Sequence, residues 1–193
     1  MKNNILSRFL RISIISLIVY SNIAAQKSLI SLKVGMPSNF GNTFYSDWEG
    51  IVNLGFKFSN LRKKNLYLNV YFNYDRLNDS RNDWNTKQNL YKIVLGLQYK
   101  IQILESAIVF PQFGIGFVYQ NLNNERFNSS TDNSGMNLLT EIDLLYKIIE
   151  RLNMGIGLRY DFVQLAVPDY AGNSSYNRRI HTITPTAQVV IEL

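Results

Sequence analysis

Between residue 28 and the last residue, apolar and polar side chains alternate with a period of two, and polar stretches interrupt the alternation at regular intervals. That period belongs to extended strands whose two faces meet different surroundings, and no segment in this region sustains helical periodicity. Large apolar residues set the phase, as with Leu66, Leu68, Val70, Phe72 and Tyr74, or Leu152, Met154, Ile156, Leu158, Tyr160 and Phe162. Eight strands are predicted, over residues 28–36, 49–58, 66–76, 89–101, 107–121, 137–146, 152–164 and 180–193. Each is long enough for a tilted strand crossing a bilayer, which takes about 9–11 residues in the apolar zone.

The connections alternate strictly in length. Residues 37–48, 77–88, 122–136 and 165–179 are long and polar, whereas 59–65, 102–106 and 147–151 are short. Short turns on one side and long loops on the other characterise an eight-stranded antiparallel up-and-down transmembrane β-barrel. An even strand count puts both ends of the sheet on the turn side.

What each face carries supports that plan. Lys33, Lys57, Asp75, Lys92, Lys100, Glu141, Asp143, Arg159, Asp161 and Glu192 all take the phase opposite to the large apolar residues. A Lys or Arg facing lipid at mid-bilayer costs about 2–4 kcal/mol, so hydrocarbon around the sheet imposes this sorting. Gly35, Gly55, Gly96, Gly114, Gly116, Gly155 and Gly157 share the charged phase. An eight-stranded barrel has an interior just wide enough for side chains, so glycine belongs there and the charged phase is the inside. A soluble calyx would reverse the two faces. Against it, aromatics gather at both ends of the apolar phase: Tyr74, Tyr91, Tyr119, Tyr160 and Phe162 near the loops, and Phe58, Tyr99 and Tyr146 near the turns. Two such belts match two membrane interfaces. Leu139 and Leu145 fall in the inward phase, implying a register shift or bulge, and Pro111 and Pro185 should mark bulges or strand ends.

The first residues change the charge and locate the protein. Lys2, Arg8 and Arg11 precede an apolar run over residues 12–20, and small and polar residues then lead to Ala24 and Ala25. This is the order of a secretory signal peptide, too short to span a bilayer, with cleavage expected near Ala25. The barrel domain is then 26–193. Removing the leader reduces the formal charge from +6 to +3, with 17 basic and 14 acidic residues remaining. Those charges alternate along strands instead of forming a basic stripe, so nucleic acid is not the expected partner. With no cysteine, disulfides, thiolate metal sites and a lipidated-cysteine anchor are all excluded.

In plan the chain resembles the small outer membrane protein β-barrel domain family, similar to the membrane domain of outer membrane protein A. The resemblance spans residues 28–193 and rests on architecture, with Val189, Ile191 and Leu193 matching the alternating final strand that assembly machinery recognises. Leu193 stands where an aromatic residue is usual. The resemblance implies an outer-membrane location and contact with lipid, lipopolysaccharide and the barrel-assembly machinery. It implies no chemistry.

The residues offer no catalytic constellation, metal set or cofactor motif. His181, the sole histidine, opens the last strand on the lipid-facing phase. Lipid A deacylases of similar size place Ser two residues after such a His, and here that residue is Ile183. Gly114-Ile115-Gly116 and Gly155-Ile156-Gly157 lack the third glycine and the helix of a dinucleotide site. The expected role is structural or interactive: a filled barrel displaying loops that carry Tyr45, Trp48, Trp84, Tyr170 and Tyr176, open to an external protein or glycan. The alternatives are a narrow channel or a component of an outer-membrane secretion or uptake assembly and, after those, a lipid-modifying enzyme.

Overall fold

The computed structural model describes residues 27–41, 46, 48–79, 86–124, 129–166 and 179–193. The signal-peptide assignment lies outside the described residues. Among those described, every regular element is a strand: β1 (Ser28–Gly35), β2 (Ser38–Phe40), β3 (Trp48–Lys63), β4 (Leu66–Asp79), β5 (Thr86–Tyr99), β6 (Ile101–Gln102), β7 (Ala107–Asn124), β8 (Ser129–Ile149), β9 (Leu152–Leu165) and β10 (Arg179–Glu192). All pairings are antiparallel, and β1 bonds both β3 and β10, which closes the sheet on itself. Against β10, β2 continues the register of β1, and against β7, β6 continues that of β5. The ring therefore has eight strands.

Strand slope is set by the register. From Ser134 of β8 the paired positions run through Tyr119, Tyr91, Tyr74, Leu54, Val34, Ala187 and Ile156 and return to β8 at Leu144, ten residues from the start. Such a stagger requires strands tilted by roughly 35–45°. Alternation then sorts the side chains: Leu95 is 58% exposed and Ile142 59%, while their neighbours Val94 and Glu141 are 0% and 2% exposed. Apolar residues cover the outside of this barrel, the arrangement that hydrocarbon favours.

Several elements differ from the sequence expectation. Strands run further than predicted at both ends: at the turn end β3 continues to Lys63 and β8 to Ile149, and the largest extension is in the third long connection, where β8 begins at Ser129, inside the stretch read as a loop. There Asn121 pairs with Asp132, and the Asn121 amide donates to Asp132 Oδ1 at 2.7 Å. Both faces are polar at that height, so period-two alternation vanishes although the ladder continues.

Leu139 and Leu145 need no bulge. The β8–β9 register is regular from Gly135 to Lys147, and both leucines are buried inside. Neither proline bulges its own strand. Pro185 lies between the pairs Gly35↔Thr186 and Ser38↔Ile183, opposite the break that separates β1 from β2. Pro111 lies between Gln98↔Gln112 and Ile101↔Val109, opposite the break between β5 and β6, while its β8 pairing is uninterrupted. A missing N–H is tolerated where the facing ladder lapses.

A true irregularity lies in β3, where one extra residue separates Gly50↔Leu77 from Val52↔Arg76. This reverses the phase, so Trp48 points into the barrel at 3% exposure instead of standing on a display loop. Gly50 packs beside the break in the first strand, and a Cβ there would fall 1.7 Å from the Pro37 carbonyl oxygen.

Candidate functional site: a paired-ion core between two apolar layers

Near the turns, Leu29, Tyr67, Ile108, Phe110, Leu145 and Val190 form one inward apolar cluster. Near the loops, Trp48, Leu77, Leu90, Val118, Val163, Leu165 and Ile180 form another. Charged side chains occupy the level between them.

Two neutral clusters share that level. In the first, Lys33 of β1 and Lys57 of β3 meet Glu141 and Asp143 of β8. Lys33 Nζ lies 2.8 Å from Glu141 and 2.7 Å from Asp143, and Lys57 Nζ lies 3.0 Å from Asp143 and 3.5 Å from Glu141. Lys57 also donates to Gln112 Oε1 at 2.9 Å. In the second, Arg159 of β9 bonds Asp161 at 2.7 Å and Asp75 of β4 at 3.3 Å, and Lys92 of β5 reaches the same two carboxylates at 3.3 and 2.5 Å. β3 and β8 are opposite in the ring, as are β4 and β9, so these bonds cross the lumen.

Neutral polar groups complete the shell. Arg159 donates to the Tyr71 hydroxyl at 2.7 Å, to Asn73 Oδ1 at 3.0 Å and to Thr184 Oγ1 at 3.3 Å. Asn137 donates to Asp161 at 2.9 Å, and Asn53 donates to Asp75. The Tyr71 ring stands between the clusters, with Lys33 Nζ 5.8 Å and the Arg159 guanidinium 5.7 Å from its centroid. Glycine makes the room: a Cβ on Gly157 would lie 2.3 Å from Asp143 Oδ1, and one on Gly55 would lie 2.5 Å from the Tyr71 hydroxyl. Burying one ion costs several kcal/mol, roughly, so a stable interior needs matched signs and well-placed hydrogen bonds.

Eight of the ten predicted inward charges meet here. Lys100 does not: it follows the end of β5 at the rim, half-buried, and its backbone N–H bonds Asn65 at 2.8 Å. Glu192 does not either, and it pairs with the exposed Lys27 at 3.2 Å. Both have the inward phase, but at the rim water replaces the lumen. Tyr71, Asn53, Asn73, Gln112, Asn137 and Thr184 share the inward phase and complete the site, but as neutral groups nothing in the alternation of charge marks them in the sequence.

Outside, Tyr91, Tyr99, Tyr119 and Tyr146 are exposed, and Phe58, Tyr74, Tyr160 and Phe162 are half-exposed. Tyr74, Tyr91 and Tyr119 occupy paired positions, with successive ring centroids 5.2 and 6.2 Å apart. A second group joins Phe40, Tyr160, Phe162 and His181. His181 Nδ1 is 2.9 Å from the Tyr160 hydroxyl, and its ring centroid is 5.1 Å from that of Phe162. Phe40 falls in the first long connection predicted from the sequence, and the break at Pro37 separates it from the alternation of the first strand. Among the described residues no group of three or more His, Asp or Glu converges as a metal site. The aromatic loop residues Tyr45, Trp84, Tyr170 and Tyr176 lie outside the described residues.

The sequence matches no family model and no curated protein. Solved structures do match its shape. Neisserial surface protein A aligns with a TM-score of 0.66 at 12% identity over 86% of this chain and 97% of that one. This chain has the fold of the small outer-membrane β-barrels. Ail, the attachment invasion locus protein of Yersinia pestis, in complex with the heparin analogue sucrose octasulfate, aligns with this small barrel at a TM-score of 0.57 and 11% identity, covering 87% of this chain and 99% of that one. A major outer membrane protein of Thermus thermophilus gives 0.56 and 12%, covering 86% and 99%. These similarities establish the fold of the outer-membrane barrel.

Proposed function

We propose that the chain is an exported outer-membrane protein whose work is done on its surface and loops, with the barrel as a rigid support. The observation that carries this reading is the interior, where two charge-neutral clusters are enclosed between apolar layers and leave conduction no ready path. The leader would be removed near Ala25, and the final strand would be handed to the barrel-assembly machinery. Lipid and lipopolysaccharide surround the apolar wall, and an external protein or glycan meets the loops. The heparin analogue bound by Ail makes a sulfated glycan a sensible first probe.

Surface proteolysis tests the placement: cuts in intact cells confined to the four long connections support it, and cuts in the three turns overturn it. Planar-bilayer recording tests the closed interior. A silent bilayer is expected, and stepwise current would favour the narrow-channel alternative.

A further inference from the structure

We propose that the turn end of the barrel is a docking rim for anionic phospholipid headgroups of the inward-facing leaflet. The proposal rests on the orientation given above, with the turns toward the periplasm. Residues 26–193 contain 17 basic and 14 acidic groups, and four of each are spent in the lumenal clusters. What remains is unevenly placed. The turn end holds seven basic residues against three acidic ones, Glu105, Glu150 and Glu192. The loop end and its connections hold the other six basic and seven acidic residues. The net positive charge of the barrel domain is therefore concentrated at one rim.

Its apolar setting argues for a lipid leaflet over a single protein partner. Lys27 precedes β1, Arg62 and Lys63 end β3 and Lys64 opens the first turn, Lys100 precedes the second, and Lys147 lies near the end of β8 with Arg151 in the third turn. Counting the acidic residues, the surplus is three charges at the first turn and one at the third, because Glu105 offsets Lys100 and Glu192 offsets Lys27. Lys63, Lys64, Lys147 and Arg151 are exposed, and Lys27 is 68% exposed even while paired with Glu192. The second turn exposes Ile103 and Leu104, and the end of β8 beside Lys147 and Arg151 exposes Ile148 and Ile149, all at 50–64%. Apolar side chains beside long cationic ones suit the boundary where tails give way to phosphates, since Lys and Arg rest their stems on apolar surface and keep the charge in the headgroup layer. A wall polymer offers negative charge but nothing for four exposed aliphatic side chains.

The test is electron spin resonance of spin-labelled lipids around the full barrel refolded in vesicles. Labelled phosphatidylglycerol should be enriched over phosphatidylcholine beside the protein by about two- to fourfold at low ionic strength, and the preference should fall toward parity in high salt. The variant Lys63→Gln/Lys64→Asn/Lys147→Gln/Arg151→Gln should abolish it, whereas Arg76→Gln/Lys87→Gln/Arg179→Gln at the loop end should leave it intact. Lys64 has a positive φ of 48°, a region that Asn accepts readily. Heat-modifiable gel mobility establishes that each variant has folded, and the wild-type preference stands as a test without them. Absence of a preference, or its persistence in the turn variant, overturns the proposal. So does retention by purified peptidoglycan without lipid preference. Vesicles carry no cellular address, so this result is independent of the surface-proteolysis outcome.

Discussion

Arg159 of β9 and Asp75 of β4 project from opposite walls of the barrel and meet across its axis at 3.3 Å. Arg159 is fully buried, so its charge has no solvent to fall back on. Arg159→Leu leaves Asp75 and Asp161 sharing Lys92 alone. Breaking a buried pair by removing one partner costs about 3–5 kcal/mol. Urea unfolding in vesicles should show a loss of that order, and Arg159→Lys, which keeps the charge but not the fork, should fall between.

Gly55 and Tyr71 give a second test. A methyl at Gly55 would press on the Tyr71 hydroxyl and ring and displace the group that accepts from Arg159. Overpacking of this kind costs about 1–3 kcal/mol. Gly55→Ala should destabilise the barrel by that amount, and much less when Tyr71→Leu is already present. Equal costs in the two backgrounds would mean that the methyl is not felt through the tyrosine.

Trp48 reports the phase reversal in β3. In a Trp84→Phe background, Trp48 emission should be blue-shifted and resist quenching by iodide, because the indole is inside. Red-shifted, readily quenched emission would return Trp48 to the exposed loop that the sequence suggested.

Proline position is equally testable. Pro185→Ala should change stability by less than about 1 kcal/mol, since it restores a donor opposite an interrupted ladder. Ala187→Pro, flanked by Val34 and Ile156 in continuous ladders, should cost ~3 kcal/mol or more. Equal tolerance of proline at the two sites would contradict the register.

Much of this architecture was readable from residue order because hydrocarbon imposes a strict rule on alternate positions. Lys33, Lys57 and Asp143 could be turned inward by counting from Val34, Phe56 and Ile142. Where water bathes both faces the rule lapses, which concealed the polar start of β8 and left Lys100 and Glu192 among the lumenal charges. Period alone does not locate the extra residue in β3, so the sequence leaves Trp48 on a display loop. Nor does phase say which ions meet: Lys33 and Asp143 are 110 residues apart and are joined by the curvature of the ring.

The cross-lumen pairs also constrain how the protein enters a bilayer. Lys33 comes from the first strand, and its partners come from β8, so an open, half-rolled sheet would carry orphan ions into hydrocarbon. The seam between β1 and β10 must seal before or during descent into the lipid. Folding and insertion are thereby tied into a single concerted event.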